Sequence, residues 1–430
     1  MVGSCSHPRG CELVADGVID MRYAVVLVVA VLLTAGWTPI DAFRPVTIGA
    51  VFPTAGGQGP GGIEEYRGVI LAAEYVNRQD GLGGRPIRLR LVSASSYDAA
   101  PGAVEQLAHE GVTVIIGSHG STISRPAAQT ASRLGLVFWE TGAVGEFGMG
   151  AAEGARVFRF APTGAGLGRA AVAFVRDRLT PRMHDVRPLR FAITYVDDVY
   201  GKTVGLGAVE EVKRSGLPLV AVLPYDLARA DYDDLARRIG QSGADVLVVA
   251  AYLQDGVALR RAIVRAKVPL VATIGTSSSY CHPAFGQILG EDALGLFASD
   301  KPDGDLLRTD SLTPEAAKTL QWARAVYQRR YGEVMLSPAL SGFAGGLALF
   351  QHVLPRAGAL TPDAVAKAAL AVRLAPGGLP NGSGLSFIAP GQPDAGANAF
   401  ATSVIWEWVQ PKTRAVVWPP AFATHPIKFP

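Results

Sequence analysis

This 430-residue chain predicts an α/β fold of two similar lobes, each built on a parallel sheet. Three observations lead there. From Val46 onward, short β-branched runs alternate with longer amphipathic stretches, the pattern of parallel strands joined by right-handed crossovers. The alternation runs twice, in two series of similar length that divide near Pro162. With 49% hydrophobic and 18% charged residues, the chain is long enough for two domains that each bury a core.

In the first series the strands are Val46–Phe52, Ile87–Ser93, Thr113–Gly117 and Val137–Thr141. Helical patterns at Ile63–Arg78, Ala99–Glu110 and Ser124–Arg133 separate them; Pro126 would sit in the first turn of the last, where a missing N–H costs nothing. The second series has strands Arg190–Tyr195, Leu219–Leu223, Val246–Ala250 and Leu270–Ile274. Its helical patterns are Gly166–Leu179, Lys202–Ser215, Tyr232–Gln241 and Asp255–Lys267, and Leu296–Ser299 reads as a strand leading out. Helices Pro314–Tyr331, Pro338–Ala357 and Asp363–Val372 bring no strands of their own, so they must cover a sheet already built. Ser403–Val409 and Thr413–Trp418 close the chain as an antiparallel-looking pair.

Forty basic residues against 37 acidic ones leave a formal charge of +3, and no Lys/Arg run forms a nucleic-acid footprint. Arg260-Arg261 and Arg329-Arg330 read as solvated helix faces. Near the N-terminus, Met21-Arg22 precedes an apolar run of about 13 residues, Tyr23–Ala35, which matches a secretory signal peptide. A membrane span normally needs about 20. Residues 1–42 are therefore expected to be an export signal with an N-terminal extension, its start at Met21, giving a periplasmic chain from about Phe43. Of Cys5, Cys11 and Cys281, only the last would survive export, so no internal disulfide is expected.

Gly57-x-Gly59-x-x-Gly62 has the spelling of a dinucleotide-binding loop. That fold also needs an acid at the end of the second strand, and here none occurs before Asp98. Gly117-Ser-His-Gly-Ser121 lacks the spacing of a nucleophile elbow, and His109-Glu110 is not followed by a second His at helical spacing. No catalytic residue, cofactor or metal is expected. What remains lies at the carboxyl ends of strands, where open α/β sheets bind ligands. In the first series these are Ser121, Thr122, Thr141, Gly142 and Ala143; the hydroxyls of Ser121 and Thr122 suit either an electronegative ligand group or helix capping. In the second they are Asp197-Asp198, Tyr200 and Tyr252, whose rings could cover a ligand or form a half-buried rim.

Taken in order, the residues resemble the leucine/isoleucine/valine-binding protein family, the type I periplasmic binding proteins of ABC importers. The phrases that carry the likeness are Ile48-Gly-Ala-Val-Phe-Pro53, Arg67-Gly-Val-Ile-Leu-Ala-Ala-Glu-Tyr-Val-Asn77 and Gly81-Leu-Gly-Gly-Arg-Pro-Ile87. Val114-Ile-Ile-Gly117, Ser124-Arg-Pro-Ala127, Asp198-Val-Tyr-Gly201, Ala244-Asp-Val246 and the ending Val417–Thr424 continue it. The resemblance implies two Rossmann-like lobes with parallel-sheet cores joined by a three-strand hinge near Phe160–Thr163, Ala298–Lys301 and Asn381–Ser386. The lobes would be 43–160 plus 300–383 and 161–299 plus 384–418, with 419–430 as a tail.

It further implies an ABC-type solute-binding protein, a monomer that closes on a small solute and presents it to a permease in the inner membrane. A ligand-sensing receptor of the same fold and a nucleotide-dependent enzyme are the rival readings. By position, Ser121 matches the hydroxyl that holds an amino-acid carboxylate, Ala143 a backbone contact, and Tyr200 and Tyr252 aromatics of the second lobe. Departures from the family are Val144 in place of a threonine, Gly61 in place of a tyrosine, no acid near Ile274-Gly275, and Asp98 and Gly120 where a disulfide would need cysteines. The expected solute is an amino acid, an amide-like compound or an aromatic one. With no acid for an ammonium, a free aliphatic amino acid is less expected, and Phe52, Trp139, Tyr200, Tyr252 and the open space at Gly61 would line a pocket for a less polar solute.

Overall fold

The computed structural model describes residues 44–149, 153–183 and 187–429. The expected export segment, with Cys5, Cys11 and Phe43, lies outside the described residues. Among the described residues no helix is long and apolar enough to cross a membrane.

Two sheets form the framework. The first has five parallel strands in the order β2-β1-β3-β4-β5: β1 (Val46–Phe52), β2 (Ile87–Ser93), β3 (Val114–Gly117), β4 (Val137–Glu140) and β5 (Val157–Arg159). The second has seven, ordered β12-β11-β10-β9-β8-β6-β7. Here β6 (Phe191–Val196), β7 (Leu219–Tyr225), β8 (Val246–Ala250), β9 (Ala272–Thr276) and β10 (Phe297–Asp300) run parallel. Strands β11 (Val404–Gln410) and β12 (Thr413–Trp418) return antiparallel, Trp406 lying opposite Ala298. β3, β4, β6, β8 and β9 are buried throughout, as strands covered on both faces must be.

Between strands run α1 (Gly59–Asn77), α2 (Ala99–His109), α3 (Ser121–Arg133), α4 (Gly164–Phe174), α5 (Val199–Arg214), α6 (Tyr232–Ser242), α7 (Leu253–Arg265) and α8 (Pro283–Leu289). After β10 come α9 (Pro314–Tyr331), α10 (Ser337–Leu347) and α11 (Pro362–Ala371). Helix α4 passes into a widened turn at Val175–Leu179; α10 does the same at Ala348–Val353, just before Pro355, which lacks an N–H to donate. Each sheet carries a helix pair seamed by glycine. A Cβ on Gly68 of α1 would stand 2.0 Å from Ala339 O of α10, and one on Gly168 of α4 would stand 2.2 Å from Val204 O of α5. Only glycine allows backbones this close.

The chain crosses between the sheets at three places: from β5 to α4, from β10 to the segment before α9, and from α11 to β11. The third crossing is pinned to the first. Arg159 N donates to Gly396 O, Asn398 N to Arg159 O, and the Asn398 amide reaches Gly384 O at 3.0 Å.

Several expectations shift. Helix α1 begins at Gly59 rather than Ile63, so the glycines form its first turn instead of a loop. Pro60 is preset for that turn, and a Cβ on Gly62 would stand 2.3 Å from Pro53 O. Packing overrides the poor helix propensity of glycine here. Helix α3 starts at Ser121, not Ser124, which places Pro126 inside it. Strand β9 lies two residues later than expected, and the short β5 and α8 carry too few residues to show a period. Residues 384–400, expected with the second lobe, run beside β5 at the edge of the first sheet through the Arg159–Ala397 bridge. The tail docks too: Lys428 N and Phe429 N donate to the buried Glu407, and Ile427 is buried.

Candidate functional site

A cavity of about 820 Å³ opens where the carboxyl ends of both sets of strands meet, and residues attached to both sheets line it. This is where open α/β sheets place their ligands. The first wall comes from α1 (Gln58, Gly61, Glu64), the β3–α3 junction (His119, Gly120, Ser121) and the end of β4 (Gly142, Val144). The second comes from α5 and α7 (Tyr200, Tyr252, Asp255), the turn after β9 (Ser277, Cys281) and the antiparallel pair (Trp406, Arg414). Asp300, Lys301 and Asp303, on the middle crossing, close one end.

Two fully buried carboxyl groups underlie the first wall. Glu140, the last residue of β4, accepts from Gly142 N at 2.8 Å and Ala143 N at 2.7 Å through Oε1. Its Oε2 accepts from Ser118 N at 2.7 Å and Ser124 Oγ at 2.5 Å. Burial, then the neighbouring Glu65, push the Glu140 carboxyl up, while these hydrogen bonds pull it back. Glu65 of α1 accepts from Thr141 Oγ1 at 2.5 Å and meets His119 Nδ1 at 2.8 Å. His119, at φ 84°, turns its ring against Gly61: a Cβ there would stand 2.2 Å from Nε2. Glu64, one residue before Glu65, faces the cavity, and burial pushes its carboxyl up to about 7.

On the second wall the Tyr200 and Tyr252 rings pack with centroids 5.3 Å apart. Tyr200 Oη meets Thr276 Oγ1 at 2.9 Å, and Tyr252 Oη donates to Asp198 Oδ2 at 2.6 Å. Asp255, 2% exposed, accepts a short hydrogen bond from Tyr225 Oη through Oδ2, while its Oδ1 has no partner among the described residues; burial pushes this carboxyl up. Trp406, 1% exposed, likewise holds an unpartnered Nε1. Both atoms are enclosed and unsatisfied, exceptions to the rule that buried polar groups find a partner, and both belong to residues that line the cavity. Asp300 accepts from Ser277 Oγ at 3.0 Å and Cys281 Sγ at 2.9 Å, and Arg414 pairs with Asp303 at 3.0 Å. Among the described residues no His/Cys/Asp/Glu cluster could hold a metal ion.

Of the residues singled out in the sequence, Gly61, Ser121, Gly142, Tyr200 and Tyr252 line the cavity; Thr122, Thr141 and Ala143 do not. Thr122 Oγ1 accepts from Gln58 Nε2, Thr141 is committed to Glu65, and the Ala143 amide to Glu140. Neither Ser121 nor Thr122 caps α3. Gly120 holds the cap position, and Ser121 Oγ accepts from Gly145 N at 3.0 Å. Phe52 and Trp139 lie in the first lobe's core, Trp139 Nε1 donating to Gly345 O, so they are not pocket walls; on a fully buried strand both faces are core. The space at Gly61 is filled by His119 rather than open. No acid stands near Ile274-Gly275, while Glu64, Asp255, Asp300 and Asp303, from other elements, line the cavity. Asp255, Asp300 and Lys301 sit just beyond strand ends and were open to the same strand-end rule. Glu140, the last residue of β4, was open to it as well; Trp406 and Arg414 had no such signal.

A family model described as periplasmic binding protein matches residues 45–397. The chain is 26% identical over 393 residues to Leu/Ile/Val-binding protein homolog 8 of Brucella abortus (strain 2308), covering 90% of this chain and 94% of that one. It is also 26% identical over 413 residues to homolog 7 of Brucella melitensis, covering 95% and 99%. Among solved structures it resembles a putative branched-chain amino acid ABC transporter protein from Silicibacter pomeroyi, with TM-score 0.73, 16% identity and 90% and 99% coverage. A leucine-binding protein from Thermotoga maritima MSB8 matches with TM-score 0.69, 17% identity and 86% and 97% coverage. At these identities the structural likeness speaks for the fold.

Proposed function

The chain belongs to the periplasmic binding protein family, and on that premise we propose that it captures a small organic solute between its lobes and delivers it to an ABC permease of the branched-chain amino acid type. The observation that carries this reading is the single cavity lined from both sheets, with the three chain crossings beside it. A ligand touching both walls favours the closed arrangement by its differential affinity for it, and closure is what a permease can recognise. Polar residues of the lining, Glu64, Asp255 and Lys301 among them, supply polar contacts, and Tyr200 and Tyr252 supply apolar area. The site holds and releases its solute unchanged. Residues 1–42 direct the chain to the periplasm, where it acts as a monomer.

Native mass spectrometry of the protein as isolated, followed by calorimetric titration of any small molecule released, tests the reading. Saturable one-to-one binding of an unchanged solute is expected; NAD binding or turnover of the bound molecule would overturn it.

A further inference from the structure

Lys301 sits on the middle crossing with 7% of its surface exposed and lines the cavity. Its ammonium donates to Gly142 O at 2.8 Å. No ion pair among the described residues includes it, whereas the neighbouring buried cation, Arg414, is paired with Asp303. A buried ammonium has three N–H groups, and this one has a single carbonyl partner and no carboxylate at ion-pair distance among the described residues, an arrangement an anion would complete. The first wall does not offer this service elsewhere, because the strand-end amides of Gly142 and Ala143 are already bonded to Glu140.

Resting on the solute-capture reading above, we infer that Lys301 is the anion-binding residue of the cavity and that the solute carries a single carboxylate which pairs with its Nζ. The acids around it set the charge limit. Glu64, Asp255, Asp300 and Asp303 share the cavity, so a multiply charged anion such as a phosphate is repelled more strongly than a monocarboxylate. Trp406, on the strand beside β10, belongs to the same lining, and its enclosed Nε1 has no partner among the described residues. The aromatic pair Tyr200–Tyr252 with Leu227, Leu253 and Leu336 receives an apolar body.

The test is a matched panel on the purified protein, read by thermal shift and then calorimetry: 4-methylpentanoate and 3-phenylpropionate, their amides, the amines isoamylamine and 3-phenylpropylamine, and leucine and phenylalanine. Carboxylate-bearing members are expected to stabilise the protein, and amides and amines to leave it unmoved. Lys301→Met is expected to weaken the best carboxylate at least about thirtyfold, and Lys301→Arg by much less. An amide or amine that binds as well as its carboxylate overturns the inference, as does a Lys301→Met protein that binds the carboxylate unchanged. If Lys301→Met does not fold, the carboxylate–amide comparison on the unmodified protein decides alone. Binding confined to amides or amines overturns Lys301 as the anion site but upholds solute capture; no binding by any member counts against both.

Discussion

The amides of Ser118, Gly142 and Ala143, at the strand ends of the first wall, all point to the protein's own Glu140, and His119 and Thr141 are tied to Glu65 beneath them. Across the cavity, Asp255 Oδ1 and Trp406 Nε1 have no partner among the described residues, and Lys301 at the crossing forms no ion pair among them. The first wall satisfies its buried polar groups internally, Gln58 Oε1 excepted, and the second, otherwise bonded, leaves two buried polar atoms without a partner. A closed hydrogen-bond network inside a low-dielectric interior is rigid and costly to break, while open polar atoms gain most from a ligand that completes them. Under the solute-capture proposal, the contrast would give shape to the first wall and recognition to the second wall and the crossing.

That division is open to attack, first where the expected effect is largest. Replacing Glu140 by Ala strands several buried donors at once and should lower unfolding free energy by about 3–5 kcal/mol, measured by denaturant titration. A loss under about 1 kcal/mol would mean that the network is ornamental. Gly142→Ala sets a Cβ 2.0 Å from Glu65 Oε2, and a loss of about 1–3 kcal/mol is expected. Pairing Gly61→Ala with His119→Ala sharpens the same point. The single change at Gly61 should destabilise and the pair should recover part of the loss, since the ring that blocks the methyl is gone.

Asp255→Asn belongs to the other wall and should separate binding from stability: solute affinity falls about tenfold while the melting temperature barely moves. An equal loss of both would place Asp255 with the scaffold instead. The smallest effect concerns pH. Glu64 goes from an ordinary 4.5 to about 7, through burial first, with His119 and Arg67 opposing and Glu333 and Asp303 adding to the shift. A raised carboxyl stabilises the fold fully below pH 4.5 and loses that contribution as pH rises through 7. The melting temperature should therefore decline across that window, and Glu64→Gln should flatten part of the decline.

The period of the hydrophobic runs was enough to place nearly all of the long strands and helices, because a strand buried on both faces and an amphipathic helix each write their pattern over many residues. Strand β5 and helix α8 escaped because three and seven residues write none. The glycines near Gly57 illustrate the other limit. Their spelling fits a phosphate loop, a bare loop or a helix start equally well, and only Pro53 packed against Gly62 decides for the helix. At the site, Tyr200, Tyr252 and Ser121 follow from the strand-end rule, yet Thr141 and Ala143 obey the same rule and are taken up by buried acids.

The sequence by itself thus determined the fold class, the family and the end of the sheets where a solute would sit, since these depend on local periodicity and chain order. Which polar groups remain open there was decided by tertiary structure alone. Glu65 meets Thr141 across 76 residues of chain and His119 across 54, and Lys301 reaches Gly142 across 159. Whether a hydrogen bond is already made depends on partners brought together from such distances, and no local pattern carries that information.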